Sequence, residues 1–510
     1  METNIIKHPI FLEETVFNET TEQSIDTDLT LPDYCKPIKK ILKCKAVPRL
    51  TSKGLNGQNL IVDVTVNINI LYVDDCNCIQ SYEHTVPLSK SFDLNSNYEN
   101  CNICCKIKTE IINCRALTEN KLSIHGTASI NASINIKKQF EILSDIDNSS
   151  IEMLKDSLPI TIPMGEGEKN LIVEEEISIG NGQASVDNLL RYDVVPIVED
   201  IKIISNKIIT KGNLKVYVLY SSHDGTRPHN FSVVLPFSQI VDIEGVNEDC
   251  KCDCTAQVVF CELKPRHGED ECRSFLLTAK LLITANAHCT SEIPILLDVY
   301  STNCEIETQN TDLTFSSIGE VFNDSFIAKK ILEFSDGSIG SVVDVWCDCE
   351  TSGYKIEGNS VSVSGCVVVN ILAYDVDGLP IYFERPIDFE YKYVTTENFN
   401  SIMCRVNTEI SNSTFTIIGA NQLEVTVELK IFGCLHNSLK QTVISDIDIR
   451  TEKKKISCYD SGLLIYFAKS GENLWDIAKK YNSCKKEIMQ LNNCLEENLI
   501  ENKSLIIPIK

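Results

Sequence analysis

Residues 62–72 read VDVTVNINILY. Val62, Val64, Val66, Ile68, Ile70 and Tyr72 take every second position, and most residues between them are polar. A strand turns successive side chains to opposite faces, so this alternation predicts one face in a core and one in water. Two later stretches carry the same signature. Gly212 to Tyr220 alternates Leu214, Val216, Val218 and Tyr220, and Gly365 to Tyr374 is apolar almost throughout, as for a strand covered on both faces.

Working outward, a turn-rich gap follows each tyrosine, such as Ser221-Ser222-His223-Asp224-Gly225 or Asp375-Val376-Asp377-Gly378. Their Asp-Gly pairs suit hairpin turns that need positive φ. A proline-led strand comes next: Pro87-Leu88-Ser89, Pro236-Phe237-Ser238 and Pro386-Ile387-Asp388. Another alternating strand lies further on. It runs through Leu122, Ile124, Ala128, Ile130, Ala132, Ile134 and Ile136, then Leu277, Ala279, Leu281, Ile283 and Ala285, then Leu423, Val425, Val427, Leu429 and Ile431.

One architecture used three times accounts for these markers. The expected fold is mainly β, with three repeated β-sandwich-like or barrel-like domains followed by a small α+β domain. The divisions are a leader at 1–19, repeats at 20–145, 170–300 and 325–440, a linker at 441–460 and the small domain at 461–510. Tyr72, Tyr220 and Tyr374 are expected at equivalent strand positions.

Composition narrows the function. The 510 residues are 43% hydrophobic, enough for several packed cores, and carry a net charge of -25. Such a surface repels nucleic-acid phosphates and anionic lipids and favours a protein partner with a cationic patch. Met1 to Phe17 carries Glu2, Lys7, Glu13 and Glu14 among short apolar runs, unlike a secretory signal, and no stretch approaches a membrane span. The expected compartment is the cytoplasm. There the 23 cysteines, an odd number, are expected as plain or later oxidised thiols and not as a disulfide framework, and the C-x-C pairs around Cys76, Cys252 and Cys347 lack zinc-ribbon spacing. No metal or cofactor is expected. Eight scattered histidines, with no H-E-x-x-H, no phosphate loop and no G-x-S-x-G elbow, nominate no catalytic residue, and the chain is expected not to be an enzyme.

The last fifty residues are the most specific. Leu463 to Phe467 is a short apolar strand, and Lys469-Ser470-Gly471-Glu472 makes a turn. Asn473 is placed to cap a helix, with Asp476 three residues on. Leu474, Ile477, Ala478 and Tyr481 then form one helical stripe. A second helix fits Cys484 to Asn492, buried through Ile488 and Leu491, and Leu505-Ile506-Ile507-Pro508 closes the domain as a strand. Trp475, at the edge of the stripe, either anchors a partner or completes a small core. Its neighbours in that surface are Leu463, Gly471, Glu472 and Asn473.

This order resembles the LysM domain, through Tyr466, the run Gly471 to Ala478, Tyr481, Leu491-Asn492 and Leu505 to Pro508. The resemblance implies a ligand groove between the first turn and the loop before the last strand, suited to N-acetylglucosamine glycans. Glu472-Asn473 and Asn502-Lys503 depart from the family pattern in those two loops. Glu22-Gln23-Ser24-Ile25, Leu31-Pro32-Asp33 and Pro37 to Leu42 resemble the opening of the SPOCS repeat, also called DUF3794. Together these features resemble the clostridial SipL-type spore-coat morphogenetic proteins. The resemblance implies a scaffold that binds the coat-basement ATPase SpoIVA through its LysM domain, with other coat proteins as further partners. It would act in the mother-cell cytoplasm, at the outer surface of the forespore. The rival expectation is a peptidoglycan-binding protein, with cell-wall remodelling as its role.

Overall fold

The computed structural model describes residues 4–509 except 181, 223–226, 268–271, 335–338, 397–401, 420, 455–461, 495, 497, 498 and 500. The turn residues His223, Asp224 and Gly225 lie outside the described set. The first repeat holds β1 (Asn4–Ser24), β2 (Thr27–Thr30), β3 (Lys40–Asn56), β4 (Asn59–Val73), β5 (Ile79–Asp93), β6 (Cys101–Thr118) and β7 (Lys121–Asp147). The second holds β8 (Ile151–Ser178), β9 (Val186–Ile204), β10 (Lys207–Ser222), β11 (His229–Asp242), β12 (Lys251–His267) and β13 (Cys272–Ser301). The third holds β14 (Cys304–Glu333), β15 (Ile339–Glu357), β16 (Ser360–Asp375), β17 (Pro380–Val394), β18 (Ile402–Gly419) and β19 (Gln422–Lys454). The C-terminal domain is β20 (Leu463–Ala468), α1 (Leu474–Lys480), α2 (Lys485–Asn492) and β21 (Lys503–Pro508).

Each repeat is a two-layer sandwich, and among the described residues no barrel closes. A meander (β3–β4–β5, β9–β10–β11 or β15–β16–β17) covers a second sheet built on β7, β13 or β19. The alternation read in residues 62–72 places Val62, Val64, Val66, Ile68 and Ile70 of β4 inside, at 1% exposure or less. They meet Leu122, Ile124, Ala128, Ile130, Ala132 and Ile134 of β7 in one core. The same two strands supply the second core, through Leu214, Val216 and Val218 against Leu277 to Ala285, and the third. The expectation for Gly365 to Tyr374 holds in part: Val369 to Tyr374 are all buried, so both faces are covered there, while Cys366 and Val368 are half-buried.

Register fixes which residues correspond. Tyr72 and Tyr220 each donate their hydroxyl to a carbonyl 36 residues upstream, Lys36 and Ala184, at 3.1 Å. Gly212 lies opposite Phe237 and Gly365 opposite Phe389. Counting forward from those glycines, the third-repeat residue equivalent to Tyr220 is Ala373, not Tyr374. Tyr374 is one residue further on, and a slip of one turns a strand side chain to the other face. It joins Leu71, Leu219 and Leu372 in a cluster between the repeats. The third marker proline is displaced by two, since Pro386 pairs with Val368 and the equivalent of Pro236 is Asp388.

Two divisions also differ from the sequence reading. Residues 4–19, expected as a leader, belong to β1 and pair along β7 as far as Asn4 with Asp147. Residues 441–454, expected as linker, continue β19, and the remainder to 460 lies outside the described residues. Both extensions belong to long hairpin-shaped antiparallel pairs of strands that are distant in sequence, β1/β7, β8/β13 and β14/β19, whose outer halves run beyond the sandwiches and pack on each other. Ile10 and Ile142, Ile160, Ile293 and Ile295, and Leu313, Phe315 and Val443 form one buried cluster there. Burial of each such side chain contributes about 1.5–3 kcal/mol, so no hairpin end is stable in that form alone. Cys250 and Cys289 are bonded as a disulfide, a single pair and no framework, and twenty other described cysteines are free.

Candidate partner-binding surface

The C-terminal domain folds as strand, helix, helix, strand, as its sequence predicts. Asn473 caps α1, its side chain accepting the Trp475 N–H at 2.7 Å. Leu474, Ile477 and Ala478 of α1 meet Ile488 of α2 and Leu505 and Ile507 of β21 in a small core. Leu491, expected inside, is 49% exposed. Instead, Asn492 ties α2 to β21, donating to the Ile506 carbonyl and accepting the Ile506 N–H, both at 2.7 Å.

The two loops expected to flank a groove are joined to each other. The Gly471 N–H donates to the Leu499 carbonyl at 2.8 Å, and the Leu499 N–H to the Glu472 carbonyl at 3.1 Å. Gly471 has φ +90°, a conformation other residues rarely adopt. The residues that depart from the family pattern carry this arrangement. Glu472 accepts the Lys469 N–H and the Tyr466 hydroxyl, which hold its carboxyl below the usual range. Asn502 accepts the Ser470 N–H at 2.8 Å.

The named residues do not form one patch. Leu463, Ile465 and Phe467 alternate on the outer face of β20, 59%, 64% and 78% exposed, while Leu464 and Tyr466 face the helices. Trp475 lies on the helix side and is only 3% exposed, because the second repeat covers it. Its ring packs edge-on against Tyr300 of β13 at 5.0 Å, and its indole N–H donates to Asp298 at 2.9 Å. Lys479 reaches the same carboxylate at 2.7 Å, and the Tyr300 hydroxyl donates to the Ser483 carbonyl at 2.8 Å. Burial pushes the Asp298 carboxyl up, and the bonds from Lys479 and Trp475 overcome it and hold it below its ordinary value. Asp298, Tyr300 and Lys479 were absent from the sequence reading, since nothing in the tail points to a residue so far upstream.

Among the described residues, no group of three or more His, Cys, Asp or Glu side chains is placed to hold a metal, and no helix is long and apolar enough to cross a membrane. Comparison with known families gives two matches. The SipL SPOCS domain matches residues 37–117 and 185–265, and the LysM domain matches 466–508. The two SPOCS matches are offset by the same distance as Tyr72 and Tyr220. No curated protein and no solved structure matches the chain. Two SPOCS copies and a C-terminal LysM domain match a SipL-type protein, SipL-like and sporulation-related, built from non-catalytic domain families with one domain of the peptidoglycan-binding type.

Proposed function

We propose that this SPOCS–LysM chain is a non-enzymatic scaffold of spore-coat morphogenesis. Its LysM domain holds a SpoIVA-like coat-basement ATPase, and its β repeats space or recruit other coat proteins. The work is done in the mother-cell cytoplasm, against the forespore's outer surface. The observation that carries this reading is the domain content, two SPOCS matches with a terminal LysM domain. Two features support a protein ligand over a sugar. The outer face of β20 offers three exposed apolar side chains in a row, Leu463, Ile465 and Phe467. Contiguous apolar surface of this kind marks protein contacts. In addition, Glu472 and Asn502 occupy the Lys469 and Ser470 amides of the first groove loop internally.

The rival, a peptidoglycan ligand recognised through N-acetylglucosamine, rests on the LysM match itself. Offering the full chain insoluble peptidoglycan and the scaffold ATPase in parallel separates the two. Retention on the ATPase alone is the expected result, and retention on peptidoglycan alone overturns it. Leu463→Glu, Ile465→Glu and Phe467→Glu are each expected to lower ATPase binding at least tenfold with the domain still folded.

A further inference from the structure

The outer ends of the three long hairpins correspond residue by residue. Each has a bulge, skipping Ser144, Leu297 and Ser445, so Asp145, Asp298 and Asp446 are equivalent. All three carboxylates accept the next backbone N–H, from Ile146, Val299 and Ile447 at 2.8, 2.9 and 3.0 Å. By the same register Lys7, Lys155 and Asn310 are equivalent, each paired to the residue two before its aspartate.

The ion pairs run in a ring. Lys155 of the second repeat meets Asp145 of the first at 2.7 Å, and Lys7 of the first meets Asp446 of the third at 3.1 Å. Closing the ring requires a cation from the third repeat on Asp298 of the second. Asn310 stands at that position, and Lys479 of the C-terminal domain occupies Asp298. A second position differs as well. Tyr300, which covers Trp475, corresponds to Asp147 and Asp448 in the other repeats. The lysine that would close the ring is thus missing from the third hairpin, which leaves Asp298 of the second to Lys479, and the second hairpin alone carries an aromatic in place of an acid.

We propose that the end of the second hairpin is a built seat for the C-terminal domain, which holds that domain on the repeats with Trp475 covered. Leu154 and Tyr300 supply the apolar floor, Asp298 the carboxylate, and Trp475 and Lys479 fill it from α1. The ion pair is half exposed and orients more than it holds, while Trp475 and Tyr300, each 3% exposed, carry the contact. Any partner that takes Trp475 must first lift the domain away. The seat does not rest on the function proposed above, whose partner surface is the outer face of β20.

The full chain labelled with 5-fluorotryptophan tests the seat without a partner. It has two tryptophans, Trp346 and Trp475, and Trp346 reports on the repeats. Tyr300→Asp, the residue the other repeats carry, is expected to double at least the solvent isotope shift at Trp475 and leave Trp346 unmoved. Lys479→Glu tests the same contact from the other side, and it decides if Tyr300→Asp also moves Trp346. A Trp475 signal unchanged in Lys479→Glu, and unchanged or moved only together with Trp346 in Tyr300→Asp, overturns the seat. If the variants open and the scaffold ATPase binds as it does to the parent, the seat stands and the outer face of β20 remains the partner surface.

Discussion

The Asn492 amide is bonded on both sides to Ile506 and also donates to the Ile488 carbonyl at 2.8 Å. Asn492→Ala removes three hydrogen bonds at a partly exposed position, a loss of about 1–3 kcal/mol in all. Amide exchange in α2 and β21 of the full chain is expected to quicken by about ten- to a hundredfold. His436 makes a second prediction. Burial, with Arg405 and His288 nearby, lowers its pKa from 6.5 to about 4. The folded state therefore binds this proton less well than the unfolded chain. Its contribution to stability is whole above pH 6.5 and is lost as the pH falls towards 4. Urea midpoints across that range are expected to fall with pH, and less steeply in His436→Gln. At this scale the sequence was legible wherever the partner is local. Asn473 caps the helix its position announces, because a cap bonds two residues on. The cover on Trp475 was not legible, since its partners are 177 residues away.

A meander strand shows the next scale. A Cβ on Gly212 would come within 2.2 Å of the Ile197 carbonyl and 2.6 Å of Phe237 Cζ, and Gly365 meets Glu350 and Phe389 alike. The first repeat has Val64 and Leu88 at these positions, a larger side chain facing a smaller one. Gly212→Val is expected to destabilise by about 1–3 kcal/mol. Combining it with Phe237→Leu should recover at least half of that, measured by denaturant midpoint, if the register equivalence is right. Alternation made the strands and their inward faces readable. It could not align the third repeat, because there the apolar run covers both faces and erases the phase. Tyr374 then passed for a marker it adjoins. The strand nature of residues 4–19 was hidden for a different reason: β1 packs against other hairpins, so its pattern answers to partners elsewhere in the chain.

For the whole molecule the junction of the three repeats decides stability. Arg191 of the second, 5% exposed, pairs with Asp193 and, at 2.7 Å, with Asp344 of the third, while lying 4.1 Å over Trp346. Lys45 of the first bridges Asp193 and Asp348 at 3.3 and 2.8 Å. Removing one partner of a buried pair costs about 3–5 kcal/mol, since the other charge stays behind. Asp344→Ala is expected to lower stability by that order and to split one calorimetric transition into several as the repeats lose each other. No pattern in the sequence shows this arrangement, because a repeat signal reports how many units exist and not how they meet.

The ring of hairpin ends has a consequence for inheritance. A gene that grows by tandem duplication can usually add or lose a copy and leave the rest in place. Here each unit enters and leaves at the shared tip, and each hairpin end has a neighbour on both sides. A fourth copy would find no open side, and a deleted one would leave two apolar flanks bare. Copy number is thus held at three by geometry, while each copy remains free to change its tip, as the second has done.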